Sequence, residues 1–537
     1  MRLTLEGINN KSEWESKGYS LPSFDFEKVN KATRENPFWI HFGAGNIFRA
    51  FQANVVQNLL NNGTLDRGLI VAEGYDYEII EKMYRPHDNI GALVTLKASG
   101  SVEKTVVGSI MESLTADSNN DADWNRLKEI FRKDSLQMVS FTITEKGYVL
   151  QNAQGVYSPF VEEDMKAGPS KPQSYMGKVV GLLYERFANG EKPVAMVSMD
   201  NCSHNGDKLK AAVLGLAEAW EKNGVCKSGF LAYCTNPSKV TFPWSMIDKI
   251  TPRPDANIEK ILNDDGIEEL EPVITSKKTY VAPFVNAEEC QYLVIEDAFP
   301  NGKPALEKGG IIYTQRETVD KVEKMKVCTC LNPLHTALAV SGCLLGYTLI
   351  SKEMADADLK KMVEIAGYTE GLPVVVDPKI LSPKQFIDEV VNIRIPNPFM
   401  PDTPQRIACD TSQKLSIRFG ETIKAYQKNG MDLDSLKVIP MVFALWLRYL
   451  MAIDDEGKAF ELSPDPLLSQ VTSVVAGIKL GKTFDVHAVC SKILCREDIF
   501  GQDLYKTNIA GKVEKFFAEL CSGTGAVRRV IHETVSK

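Results

Sequence analysis

Through the first three hundred residues, short runs of consecutive apolar residues alternate with stretches in which apolar positions recur every three to four residues. The short runs predict buried strands and the longer spacing predicts amphipathic helices. Phe38-Trp-Ile-His-Phe42 is such a run, and it passes through Gly43-Ala-Gly45 into a helical pattern that extends to Leu60. Further strands are predicted at 68–73, 92–97, 137–144, 194–199 and 231–234, with helices over 123–133 and 175–189. Alternation of this kind specifies a doubly wound parallel sheet. Beyond residue 310 the patterns at 331–349, 354–367, 383–391, 415–429, 440–452, 464–477 and 511–521 are all helical. The predicted organisation is therefore an α/β Rossmann-like doubly wound domain over residues 1–313 and a mainly α-helical domain over 314–537, with a ligand cleft between them.

Composition narrows the function classes. A chain of 537 residues exceeds one typical core, and 44% hydrophobic with 25% charged residues is ordinary for a globular protein. A net charge of −8 without a Lys/Arg stripe argues against a nucleic-acid partner. No charged leader with an apolar core opens the chain, and no run of about 18 apolar residues occurs, so a cytoplasmic protein without a membrane partner is expected. Eleven cysteines, none before Cys202, predict free thiols rather than a disulfide framework. Cys328 and Cys330 are a close pair, but they lack the second pair that a zinc site needs.

Two segments carry chemistry. In the first, a strand, a glycine turn and a helix follow one another, so Gly43, Gly45, Asn46, Ile47, Phe48 and Arg49 are the candidate cradle for a dinucleotide pyrophosphate. Phe48 stands where the third glycine of the fingerprint is expected. Glu73, ending the next strand, is either the ribose-binding acid that favours NAD over NADP or a solvated strand end. The second segment is Lys326-Val-Cys-Thr-Cys-Leu-Asn332-Pro-Leu-His335. A lysine beside Val327, Leu331 and Leu334 is disfavoured as a cation, which suits it to accept a proton. Asn332 and His335, three apart, share a helical face and can both donate to a developing alkoxide. The alternative is a core helix with locally satisfied polar groups.

With these segments in place, the chain resembles the polyol-specific long-chain dehydrogenases over most of its length. The pieces occur in the family's order: His41-Phe-Gly43-Ala-Gly45-Asn-Ile-Phe-Arg49; Ser140-Phe-Thr-Ile-Thr-Glu-Lys-Gly-Tyr148; Met199-Asp-Asn201; Thr241-Phe-Pro-Trp-Ser-Met-Ile-Asp248; Val294-Ile-Glu-Asp297; the lysine segment; and Arg406-Ile-Ala-Cys-Asp410-Thr-Ser-Gln-Lys414. The resemblance implies a metal-free, NAD-dependent oxidation of a secondary alcohol or the reverse ketone reduction, with NADP left open. It implies Lys326 as acid/base, Asn201 and Asn332 as the oxyanion hole, and His335 as the group that orients substrate. Asp248, Arg406 and Lys414 match substrate contacts, and Glu323 matches a proton path or is a solvated helix charge. Arg406, Asp410 and Lys414, each four apart, could instead be a salt-bridge ladder on one helix.

The implied substrate is a keto-hexuronate, fructuronate, reduced to an aldonate, D-mannonate. Tagaturonate or a mannitol/fructose pair is the alternative, and a catalytically silent sugar-acid or dinucleotide sensor is a different class. The family includes monomers, and a monomer or small homo-oligomer is expected. Two departures stand out. Lys249 replaces the usual arginine, and five residues, Val327 to Leu331, separate Lys326 from Asn332 where the family has four. With Pro333 disturbing the preceding turn, a π-bulge around Thr329 is expected to absorb the extra residue.

Overall fold

A computed structural model of the protein describes residues 1–536. Two compact units are present: Met1–Leu96 with Ser101–Asp320, and Lys97–Gly100 with the chain from Lys321 onward. The division falls within a helix, after Asp320.

The first unit is organised by a six-stranded sheet: β1 (Trp39–Phe42), β2 (Leu69–Glu73), β3 (Ile110–Thr115), β4 (Met138–Phe141), β5 (Val194–Ser198) and β6 (Val240–Thr241). All neighbours pair parallel, in the spatial order β3-β2-β1-β4-β5-β6. That is the doubly wound order, with the chain reversing direction across the sheet between β1 and β4. Both faces are covered, which explains the continuous apolar runs. Ile40 and Phe42 enter one core with Val179, Leu183, Leu216 and Trp220, whereas Trp39 enters the other with Phe48, Phe51 and Val56. The helices behind these contacts are α1 (Ala53–Asn61), α2 (Tyr175–Ala188) and α3 (Asn205–Lys222).

Two strand expectations need correction. Residues 231–234 are helical, within Phe230–Thr235, and the sixth strand is the short Val240–Thr241. Gly229, at φ +91°, starts that helix and lets Phe230, Tyr233 and Cys234 face the core; a four-residue apolar run fits either period, and here the helical one holds. The strand Gly91–Leu96 exists but lies in another sheet, between Val102–Val107 and Phe284–Glu288. Its expected place is taken by β3, whose buried Glu112 disguises it in the sequence. Arg126 clasps that carboxylate through two nitrogens, at 2.9 and 2.7 Å, which lets a charged residue occupy a buried strand.

The second unit is helical. Arg316 to Leu345 form one long helix whose most apolar window is 78% buried. It comprises α4 (Arg316–Met325), a π-helical turn Lys326–Cys330 and α5 (Asn332–Leu345). Every residue of α6 (Val438–Tyr449) is buried, and α6 packs on α7 (Ile509–Leu520). The buried N-terminus of α6 has no capping residue of its own. Glu370 supplies the cap, accepting from the amides of Lys437, Val438 and Ile439 at 2.6, 2.7 and 2.9 Å. The pattern at 464–477 contracts to the helix Leu468–Val475.

Glu353 is fully buried in this unit, and neither carboxylate oxygen has a hydrogen-bond partner. Burial, with Asp356 nearby, pushes its carboxyl up to about 9. The folded chain thus keeps a proton that the unfolded chain releases in the ordinary glutamate range, and stability falls as pH rises through the interval up to that value. The melting temperature should decline between about pH 6 and pH 9 more steeply for the wild type than for Glu353→Gln, and the curves should converge toward about pH 4. Parallel curves across that range would contradict the assignment.

Candidate active site

At the C-terminal end of β1 the chain turns at Gly43, at φ +110°, where a Cβ would come within 2.2 Å of the Thr142 carbonyl oxygen. Glycine is therefore required. The turn is fixed from below by Glu73 at the end of β2, whose Oε2 accepts from the Ala44 amide at 3.0 Å. Its Oε1 accepts from Tyr75 and Asp76 at 2.8 and 3.2 Å. Burial raises the Glu73 carboxyl, and the three backbone donors oppose that shift. Gly43, Gly45, Glu73 and Asp76 border a cavity of about 960 Å³ beyond the strand ends. A Cβ on Gly45 would meet nothing, so its backbone is open to a ligand.

This is the crevice in which a doubly wound sheet binds dinucleotides, and the residues fit one. Asp76 is buried and lines the cavity; its Oδ2 accepts from Thr275 Oγ1 at 2.6 Å, and its Oδ1 has no partner. Asp76 is thus a second acid at this strand end, beside Glu73. Composition and periodicity did not single out Asp76; its closeness to Glu73 is the sequence signal that could have. The rest of the predicted cradle turns elsewhere. Asn46 reaches the Pro252 carbonyl at 3.5 Å, and Phe48 stacks on His41 with centroids 4.2 Å apart. Ile47 is half-buried. Arg49 donates to the Ala282 carbonyl at 2.8 Å and lies over the Tyr84 ring. His41, pushed down to about 3 by burial, stays neutral between Ser140 and Thr142.

Asn201 lies in the loop between β5 and α3, at the same strand-end level. Its neighbours pin that loop. Asp200 accepts from the amides of Ile143 and Thr144 and from Tyr148, at 3.0, 2.8 and 2.6 Å. Asn205 donates to the carbonyls of Asp200 and Ser245, both at 3.0 Å. Asp248 is buried at the end of the strand Ser245–Asp248. The departure at Lys249 is accommodated locally, its ammonium donating to the Glu288 carbonyl and Gln291 Oε1 at 2.8 and 3.0 Å.

In the second unit, Lys326 is buried and opens the π turn. The Leu331 amide donates five residues back to the Lys326 carbonyl at 3.1 Å, so the expected π-bulge is present before Asn332, where α5 begins. Glu323, three residues earlier, is half-buried, as are Asn332 and His335. His335 is pushed down to about 4 by desolvation, which Asp402 opposes and Arg394, Arg418 and Arg406 reinforce. It is a neutral imidazole above about pH 5, able to donate and accept hydrogen bonds.

The ladder alternative for Arg406, Asp410 and Lys414 does not occur. Their segment is broken: the helix Pro404–Ile407 ends, Asp410 adopts φ +53° and a 3₁₀ turn Thr411–Gln413 follows. Arg406 is exposed and pairs back with Asp402. Lys414 binds the carbonyls of Ile407 and Cys409. Arg394 and Arg418, which sequence reasoning passed over, stand in the same cationic group. Among the described residues, no three His, Cys, Asp or Glu side chains gather as metal ligands, and none of the eleven cysteines is in a disulfide.

Comparison with known proteins matches this architecture. Residues 38–308 fit the mannitol dehydrogenase Rossmann domain, and residues 318–521 fit the mannitol dehydrogenase C-terminal domain. The D-mannonate oxidoreductase of Thermotoga maritima is 52% identical over 540 residues, covering 100% of this chain and 99% of the relative. The D-mannonate oxidoreductase of Escherichia coli is 26% identical over 93% of this chain and 95% of its own. A solved D-sorbitol dehydrogenase is similar with a TM-score of 0.78 at 25% identity, covering 96% of this chain and 97% of that one. Two family models and a full-length relative therefore agree with the sheet order and the helical second unit, and the chain belongs to the mannitol dehydrogenase family of oxidoreductases.

Proposed function

We propose that the protein is an NAD-dependent oxidoreductase that reduces a keto-hexuronate, fructuronate, to D-mannonate and runs the reverse oxidation, with Lys326 as acid/base and no metal. The observation that carries this reading is the 52% identity, end to end, with the Thermotoga maritima D-mannonate oxidoreductase. The coenzyme, when bound, would supply the hydride as NADH in the reduction and take it up as NAD in the oxidation. The chain's own residues do the rest. In the oxidation direction Lys326 takes the hydroxyl proton, and in ketone reduction it returns it. Asn201 and Asn332 are assigned the amide donors that stabilise the oxyanion. Neutral His335 orients a substrate hydroxyl without contributing charge. Glu323, one helical turn before Lys326, passes the proton to solvent. Asp248, Arg406 and Lys414 are assigned substrate contacts.

Gly43, Gly45 and the backbone, not the side chains, of the helical turn through Arg49 form the proposed coenzyme cradle, held by Glu73. An acid at Asp76, lining the cavity beside Glu73, supports NAD over NADP. A silent sensor would need a displaced lysine, and the π turn supplies the accommodation that such a displacement lacked. Oxidation of a hexitol is the second reading, favoured by the likeness to D-sorbitol dehydrogenase. We place the protein in the cytoplasm, where its cysteines remain thiols, as a monomer or small homo-oligomer.

The reading is tested by NADH oxidation with fructuronate, tagaturonate and fructose in parallel after exhaustive chelation. Fructuronate should be preferred and the chelator should have no effect; preference for fructose sinks the keto-uronate assignment, and loss on chelation sinks the metal-free one. Lys326→Ala should lower turnover by about 10²- to 10⁴-fold while NADH still binds; near-normal turnover would remove the lysine from its role. Gly43→Ala forces a side chain into the left-handed region against Thr142, a strain of about 1–3 kcal/mol. NADH binding followed by fluorescence should weaken about tenfold or more, and unchanged binding would show that the turn does not cradle the coenzyme.

A further inference from the structure

A hexuronate or aldonate differs from a hexose or hexitol by one anionic group, so a site that selects it needs a cation that is not already neutralised. Four cations of the second unit belong to the group around His335: Arg394, Arg406, Lys414 and Arg418. Three are already engaged. Arg406 is exposed and paired with Asp402, Lys414 is bound by two carbonyls, and Arg394 is buried with partners of its own.

Arg418 differs. It is half-buried on the π-helical turn Ser416–Gly420, which packs against the π turn that begins at Lys326. Its Nη1 donates to Thr336 Oγ1 at 2.5 Å and reaches the Asn332 carbonyl at 3.5 Å, both on the first turn of α5 beside His335. Its Nε and Nη2 make no hydrogen bond, and no carboxylate lies within ion-pair distance of it among the described residues. Two other guanidiniums show the contrast: buried Arg186 donates to five backbone carbonyls, and half-buried Arg126 is held by Glu112 and Glu129. Desolvation without a counter-ion pushes Arg418 down to about 10. A guanidinium kept partly out of water with one edge unspent is an unfavourable arrangement unless an anion completes it.

We propose that Arg418 anchors the substrate carboxylate through its Nε and Nη2 edge and so selects keto-uronates and aldonates over neutral ketoses and polyols. The inference rests on the substrate reading above. Nη1 is fixed to the helix that carries Asn332 and His335, so the remaining edge is held in register with those side chains and can take both carboxylate oxygens at once. Arg406 and Lys414 then contact the sugar hydroxyls or shape the site.

The test compares kcat and KM for fructuronate and for fructose in the wild type, Arg418→Gln and Arg418→Lys, with melting temperature and NADH binding recorded for each. Arg418→Gln should lower the fructuronate-to-fructose ratio of kcat/KM by at least tenfold, chiefly through KM. Arg418→Lys, keeping the charge but losing the fork, should fall between, and it serves as the readout if the glutamine variant does not fold. If the wild type prefers fructuronate and a folded, NADH-binding variant keeps that ratio, the anchor is overturned and the keto-uronate reading stands. If the wild type prefers fructose, the substrate reading fails and the anchor with it.

Discussion

The second unit depends on one requirement: a buried helix must close its backbone hydrogen bonds even where its sequence cannot. Pro333 brings no amide to the helix from Arg316 to Leu345, and one residue more than the family spacing lies just before it. A π turn meets both conditions, returning the Leu331 amide to the Lys326 carbonyl and releasing the chain into α5. The lysine, the asparagine and the histidine are thereby held on a single rod whose position is set by its apolar sides. The same requirement, met differently, appears at α6. There a glutamate from a distant segment supplies the acceptors that the local sequence lacks.

Electrostatics then divide the polar groups by task. His335 sits among arginines and is stripped of water, so it is neutral and serves as a directional hydrogen-bonding group rather than a charge. Glu73 and Asp200 are buried carboxylates surrounded by backbone amides, and each fixes a loop at the end of a parallel strand. Such groups are costly to bury alone and inexpensive once every lone pair is used. Their position at the strand ends puts rigid backbone where an α/β sheet binds ligands.

Much of this was legible in the residues. The run from Phe38 through Gly43 to Leu60 carried strand, turn and helix without ambiguity, because buried strands on a doubly covered sheet are apolar throughout. The spacing from Lys326 to His335, with Pro333, pointed to the π turn. Legibility failed where a local pattern had two physical solutions. Four apolar residues at 231–234 fit a strand or a helix, and tertiary packing chose the helix. β3 was hidden because Glu112 depends on Arg126, fourteen residues away, for its neutralisation. Arg406, Asp410 and Lys414 had helical spacing, but no sequence rule signalled the left-handed residue at Asp410 that breaks it. Arg418 was passed over for a related reason: an arginine without a counter-ion can be recognised only after every neighbouring acid has been located.

The tie between Glu73 and the Gly43 turn bears on how this protein could be re-engineered. Exchanging the acid at the end of the second strand is the usual route to altered coenzyme preference in a dinucleotide-binding fold. Here that acid is a tension member joining two strand ends, and replacing it would loosen the very turn a new coenzyme must grip. Redesign should leave it alone and begin at Asp76, whose one hydrogen-bonded oxygen holds Thr275 and not the Gly43 turn.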